Sequence, residues 1–252
     1  MAVELESLKI ESRLWKVGFK KGMKMKTVLD TSVFCTGAFC LWKNPASVIS
    51  DLVSFGEIDR KDGFWRGLTG CTRKDVPSHT DIVLIKDNGL IESRGMSWPA
   101  DVQGRYYYEQ ELSEDEYPYI SAVAVWPALW KFPILQDKVA AWLHGQDKMG
   151  YVYGIENLIR DLENKPTDVK RPVCAMFGTF LLEYFAFLVK VLPELHLSPV
   201  PIPTDWVNTN EMGCDDQLQW FKQQGWIVPH LKQIDDDTDP QKEIIAPLDR
   251  EV

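Results

Sequence analysis

Residues 173–193 form the longest apolar stretch of the chain, interrupted by Glu183 and Lys190. Such a run must be taken out of water, and its two charges predict the core helix of a folded domain rather than a bilayer span. Arg171-Pro172-Val173 leads into it, and Cys174 falls in its first turn. A thiol there ionises more readily, because unpaired N–H groups at a helix N-terminus favour the thiolate. Far earlier in the chain, Pro77-Ser78-His79-Thr80-Asp81 puts a histidine at the mouth of an apolar strand. A cysteine nucleophile and a histidine base, remote in sequence but close in space, are the working pair of a thiol hydrolase or acyltransferase.

The histidine segment opens a hairpin. Asp81 to Ile85 is an apolar run, Lys86-Asp87-Asn88-Gly89 holds the Asn-Gly turn signal, and Leu90 to Ser93 returns as the partner strand. Across such a ladder Glu92 is expected to face His79 and to orient its ring, as the third member of a triad does. Further strands are predicted at Val102–Tyr108 and Ile120–Trp126, on either side of the acidic loop 111–118. Residues 27–43 read as strand or buried turn, and Asn44-Pro45-Ala46-Ser47 opens a short helix. Helices are predicted near 135–148 and near 154–163, the latter with Ile155, Leu158, Ile159 and Leu162 at helical spacing. In Tyr106-Tyr107-Tyr108 strand alternation turns the middle ring away from the other two. A Pro-rich extended segment follows Pro193, then a Trp-containing segment at 215–228.

Composition narrows the function classes. With 45% hydrophobic residues the chain has ample material for a core. A net charge of −9 argues against a general nucleic-acid binder. The charge is unevenly placed: residues 1–26 carry seven Lys/Arg against three Glu, whereas 233–252 carry seven Asp/Glu against Lys242 and Arg250. These ends read as a basic arm and an acidic, disordered tail, each a possible docking segment. The charged first 26 residues do not resemble a signal peptide, so cytoplasmic synthesis is expected. The five cysteines, at 35, 40, 71, 174 and 214, form no disulfide or zinc framework, so neither metal nor cofactor is expected. Cys71 follows Thr69-Gly70 in a loop with no helix dipole, which makes it the weaker rival nucleophile.

Order along the chain carries a resemblance. Ser78-His79-Thr80-Asp81-Ile82-Val83-Leu84, Gly89-Leu90-Ile91-Glu92-Ser93, Gly150-Tyr151-Val152-Tyr153, and Val173-Cys174 with its helix run histidine, polar residue, cysteine. This resembles the circularly permuted NlpC/P60 group of papain-like proteins, which includes YiiX-like hydrolases and lecithin:retinol acyltransferase relatives. The resemblance implies an α+β fold, an antiparallel sheet packed against helices, with a catalytic domain at 63–207 between extensions at 1–62 and 208–252. It implies Cys174 as nucleophile, His79 as base and Glu92 as orienting group. The oxyanion would be held by the Cys174 N–H with Tyr151 or Tyr153, and Ser78 and Trp98 would join Tyr151 in binding substrate. The activity implied is amide hydrolysis through a thioacyl-enzyme, foremost of peptidoglycan stem peptides, by an enzyme borne on a phage virion or otherwise delivered. The permuted branch also implies a lipid or acyl-ester substrate. A catalytically silent assembly module is the non-enzymatic alternative.

Overall fold

A computed structural model of the protein describes residues 25–43, 77–96, 107–112, 119–152, 174–203 and 213–235. Its elements are strands β1 (Met25–Leu29), β2 (Phe39–Lys43), β3 (Pro77–Ile85), β4 (Ile91–Met96), β5 (Tyr107–Glu111), β6 (Ile120–Ala124), β7 (Ile227–Val228) and β8 (Leu231–Asp235). The helices are α1 (Pro127–Lys131), α2 (Pro133–Gln146), α3 (Cys174–Val191) and α4 (Cys214–Gln223). β1 and β8 form a two-stranded sheet, and the other six strands form a second sheet in the order β5-β4-β3-β2-β6-β7. Every pairing in the larger sheet is antiparallel. The fold class is therefore α+β.

The β3–β4 hairpin forms where Asn-Gly predicts it. Gly89 takes a φ of +82°, a conformation open to a residue without Cβ, and its N–H donates to the Lys86 carbonyl at 2.8 Å. Lys86 N–H closes the turn on Leu90 O at 2.9 Å. β2 lies between β3 and β6, so a strand from the upstream segment is central to the sheet.

One face of this sheet is apolar and carries α3 and α4. Phe39 of β2 meets Phe185 of α3 edge-on at 6.2 Å and Phe221 of α4 at 4.8 Å. Trp126 stacks on Phe185 at 4.7 Å, and Phe177 takes the edge of Tyr107 at 5.4 Å. Burying each such ring contributes roughly 1.5–3 kcal/mol. Among the described residues, α3 is the one helix long and apolar enough to cross a membrane. Its residues Phe177, Leu181, Leu182 and Phe185 lie fully buried in this core. Past the end of α4 the chain turns at Gly225 (φ +67°), and Trp226 returns it to the sheet by accepting from Val125 N–H at 2.8 Å.

Several expectations shift. β2 on one side of 63–207, and α4 and β7 on the other, pack into the same core as β3 and α3. β6 stops at Ala124, where Pro127 starts α1 and ends the run expected to reach Trp126. β5 extends to Glu111, past the predicted strand end at Tyr108. The long helices predicted at 135–148 and 173–191 correspond to α2 and α3. The helix predicted near 154–163, the one opening at Asn44 to Ser47, and part of each terminal extension lie outside the described residues.

Candidate active site

The sheet's second face is polar at one end. Alternate residues of a strand share a face, so His79 and Asp81 project together from β3. His79 Nε2 lies 2.7 Å from Asp81 Oδ1 and 3.0 Å from Tyr108 Oη. Ser93 Oγ donates to the other carboxylate oxygen, Oδ2, at 2.6 Å. Tyr108 also hydrogen-bonds Asp81. One proton arrangement satisfies these contacts: Nε2–H donates to Asp81 and is shared with the tyrosine oxygen, whose hydroxyl donates to the carboxylate.

Gly95 makes this cluster sterically possible. β4 separates β3 from β5, and Gly95 pairs with Tyr108 across the second ladder. A Cβ at Gly95 would overlap Asp81 Oδ1 and come within 3.5 Å of the Tyr108 ring. Without that atom, Tyr108 reaches over β4 to the imidazole.

Cys174 stands at the first position of α3 and is 5% exposed. Its sulfur is placed beside the His79 ring and the backbone N–H of Thr80, both of which favour the thiolate, and lies 3.8 Å from Cys214 Sγ at the start of α4. The Thr80 N–H is free for this by ladder geometry. Val83 bonds toward β2, through Gly37 and Ala38, so by alternation Thr80 points to the β4 side. There the β3–β4 ladder ends at the Ile82–Arg94 pair.

These contacts set the charges. The hydrogen bond from Cys214 draws the Cys174 thiol well below its ordinary range; burial opposes this, and the His79 charge, the His79 bond and the Thr80 N–H reinforce it. Burial favours a neutral His79, but Asp81 and Cys174 hold the ring protonated well above the usual imidazole range. Burial also pushes Asp81 upward, and the His79 charge with bonds from His79, Ser93 and Tyr108 brings it below the usual carboxylate range. The favoured state is thus a thiolate–imidazolium pair backed by a carboxylate.

The structure brings His79 and Cys174 together; it places Glu92 away from the ring. The ladder pairs Glu92 with Leu84, and residues 79 and 84 point to opposite faces. Continuing the register toward His79 leads past Met96, the last residue of β4. Glu92 instead joins Lys86 and, at 2.9 Å, Arg94 Nη2. The carboxylate at the ring is Asp81. Its His-x-Asp spacing on a strand is the signal that identifies it, two residues being one full strand period.

Tyr151 is also placed elsewhere: its hydroxyl donates to Gln146 Oε1 at 2.7 Å, and its ring packs on Phe177 and Phe180. Ser78 points to the face opposite His79, buried and with no hydrogen-bond partner for its hydroxyl. Tyr153 and Trp98 lie outside the described residues. So does Cys71, the rival nucleophile.

Two further residues had no local sequence signal. Gln217 of α4, fully buried, accepts from Thr80 Oγ1 at 2.7 Å and donates to Ala175 O at 2.9 Å. It thereby ties the strand of His79 to the first turn of the Cys174 helix. Gly178 leaves room for it, since a Cβ there would stand 2.6 Å from Gln217 Nε2. Trp42 pairs with His79 across β2 and shares its face, and its buried indole N–H has no acceptor. Among the described residues, no cluster of three or more His, Cys, Asp or Glu could hold a metal ion.

No protein-family model matches the chain, and no curated protein or solved structure matches it.

Proposed function

We propose that the protein is a papain-like cysteine hydrolase of the permuted NlpC/P60 type, cleaving an acyl bond through a thioacyl-enzyme. The observation that carries this reading is the half-buried His79 ring held between Cys174 and Asp81. Nε2 is engaged by Asp81 and Tyr108, which leaves Nδ1 to serve the sulfur.

The Cys174 thiolate attacks the substrate carbonyl carbon, forming a C–S bond and an oxyanion. N–H groups of the first turn of α3 and the unpaired Trp42 indole N–H are the donors assigned to that charge. His79 gives its proton to the leaving amine as the acyl bond breaks. The neutral ring then takes a proton from water, which attacks the thioester, and Cys174 leaves again as thiolate. Asp81 holds the ring's tautomer and stabilises its cationic form throughout.

Amides of peptidoglycan stem peptides are the substrate class put first, and acyl esters come second because the same chemistry cleaves both. The test joins thiol reactivity to turnover. Iodoacetamide should label Cys174 at neutral pH much faster than free cysteine. Muropeptides should be cleaved by wild type and left intact by Cys174→Ala. Turnover of acyl esters alone would move the substrate to the second class. A Cys174 no more reactive than free cysteine, with no turnover of either class, would overturn the enzymatic reading.

A further inference from the structure

Two helices begin on sulfur at the same place. Cys174 is the first residue of α3 and Cys214 the first of α4, with their Sγ atoms 3.8 Å apart. They are 5% and 1% exposed. The other described cysteines sit differently: burial pushes Cys35 up to about 12, and burial with the Asp81 charge pushes Cys40 up as well. A thiolate beside a second thiol is the arrangement in which oxidation of the first is captured by the second.

We propose that Cys174 and Cys214 form an oxidation site, at which hydrogen peroxide converts the pair to a disulfide and a dithiol reductant restores it. The Cys174 thiolate attacks one peroxide oxygen; the S–O bond forms, the O–O bond breaks, and hydroxide leaves. Cys174 is then a sulfenic acid. Cys214 loses its proton and attacks that sulfur; the S–S bond forms, the S–O bond breaks, and the second oxygen leaves as water. Two electrons pass from the sulfurs to the peroxide, one of whose oxygens ends as hydroxide and the other as water. The sulfurs close from 3.8 Å to about 2.05 Å. The consequence, a nucleophile switched off reversibly, rests on the function proposed above; disulfide formation itself does not.

The experiment treats the full chain with hydrogen peroxide, blocks remaining thiols under denaturing conditions, and maps peptides by mass. The expected product is a Cys174–Cys214 cross-linked peptide, with loss of iodoacetamide labelling at both residues and full recovery after dithiothreitol. In Cys214→Ala the cross-link disappears and Cys174 advances to the sulfinic acid. Wild-type mapping decides the matter even if that variant does not fold. Sulfinic acid at Cys174 beside a free Cys214 thiol would overturn the proposal, as would a disulfide joining either residue to Cys35, Cys40 or Cys71. A protein that forms the cross-link but turns over no substrate when reduced keeps the oxidation site and loses the hydrolase reading.

Discussion

Asp81 and Glu92 are buried carboxylates on neighbouring strands, yet they belong to different chemistries. Glu92 faces one side of the sheet with Lys86 and Arg94, whose second amino group, Nη1, reaches Glu109 Oε1 at 2.7 Å. These contacts tie β3, β4 and β5 together at that edge of the sheet. Asp81 faces the other side, and its partner is an imidazole, a group able to carry or give up a proton. Burial and ion pairing alone do not make a site; a partner able to give up its proton does.

Removing the reacting groups should separate the two networks most. Cys174→Ala should lower kcat on the order of 10⁴-fold or more. Asp81→Asn should lower it by about 10⁴-fold through loss of the correct tautomer. Glu92→Gln should leave kcat unchanged while costing about 1–3 kcal/mol in urea unfolding, because Arg94 keeps a buried donor unpaired. Equal losses of kcat in Asp81→Asn and Glu92→Gln would erase the distinction.

Titration sharpens the same contrast. With the thiol pKa depressed and the imidazole pKa raised, the thiolate–imidazolium pair exists between them. Activity should fall as pH drops through the thiol value and as it rises through the ring value. Asp81→Asn removes the main charge holding the ring protonated, so the upper limb should move to lower pH; Glu92→Gln should not move it.

Smaller effects follow around the ring. Trp42→Phe should lower kcat by about 10²-fold, the scale of one lost oxyanion donor, with the pH profile in place. Gly95→Ala should cost about 10²-fold by displacing Asp81 and Tyr108 from the imidazole. Gly89→Ala, strained at positive φ but in the turn, should lower stability by roughly 1 kcal/mol and spare kcat. An active Gly95→Ala enzyme with wild-type kinetics would show that Tyr108 and Asp81 need not meet the ring.

What the sequence made legible was local. The Asn-Gly turn, the apolar run of α3, and a histidine and cysteine at the starts of their elements all follow from neighbouring residues. Strand register did not. The turn tip fixes which residues pair, and taking Glu92 as the partner of His79 set the ladder five residues out of step and on the wrong face, although Asp81 stood one strand period from His79. Tyr108 reaches the ring only because Gly95 clears a path, a relation between two strands that neither strand records. β2, Gln217 and Cys214 lie outside the segment expected to fold as the catalytic unit, and pairwise contact across nearly the whole chain brings them to it.

That long reach has a consequence for synthesis. The strand bearing Trp42 leaves the ribosome early, whereas the helix bearing Cys214 and Gln217 emerges after most of the polypeptide has been made. Until then the sulfur of Cys174 lacks its thiol neighbour and His79's strand lacks its tie to the helix, so the surroundings of both groups are completed only in the last part of synthesis.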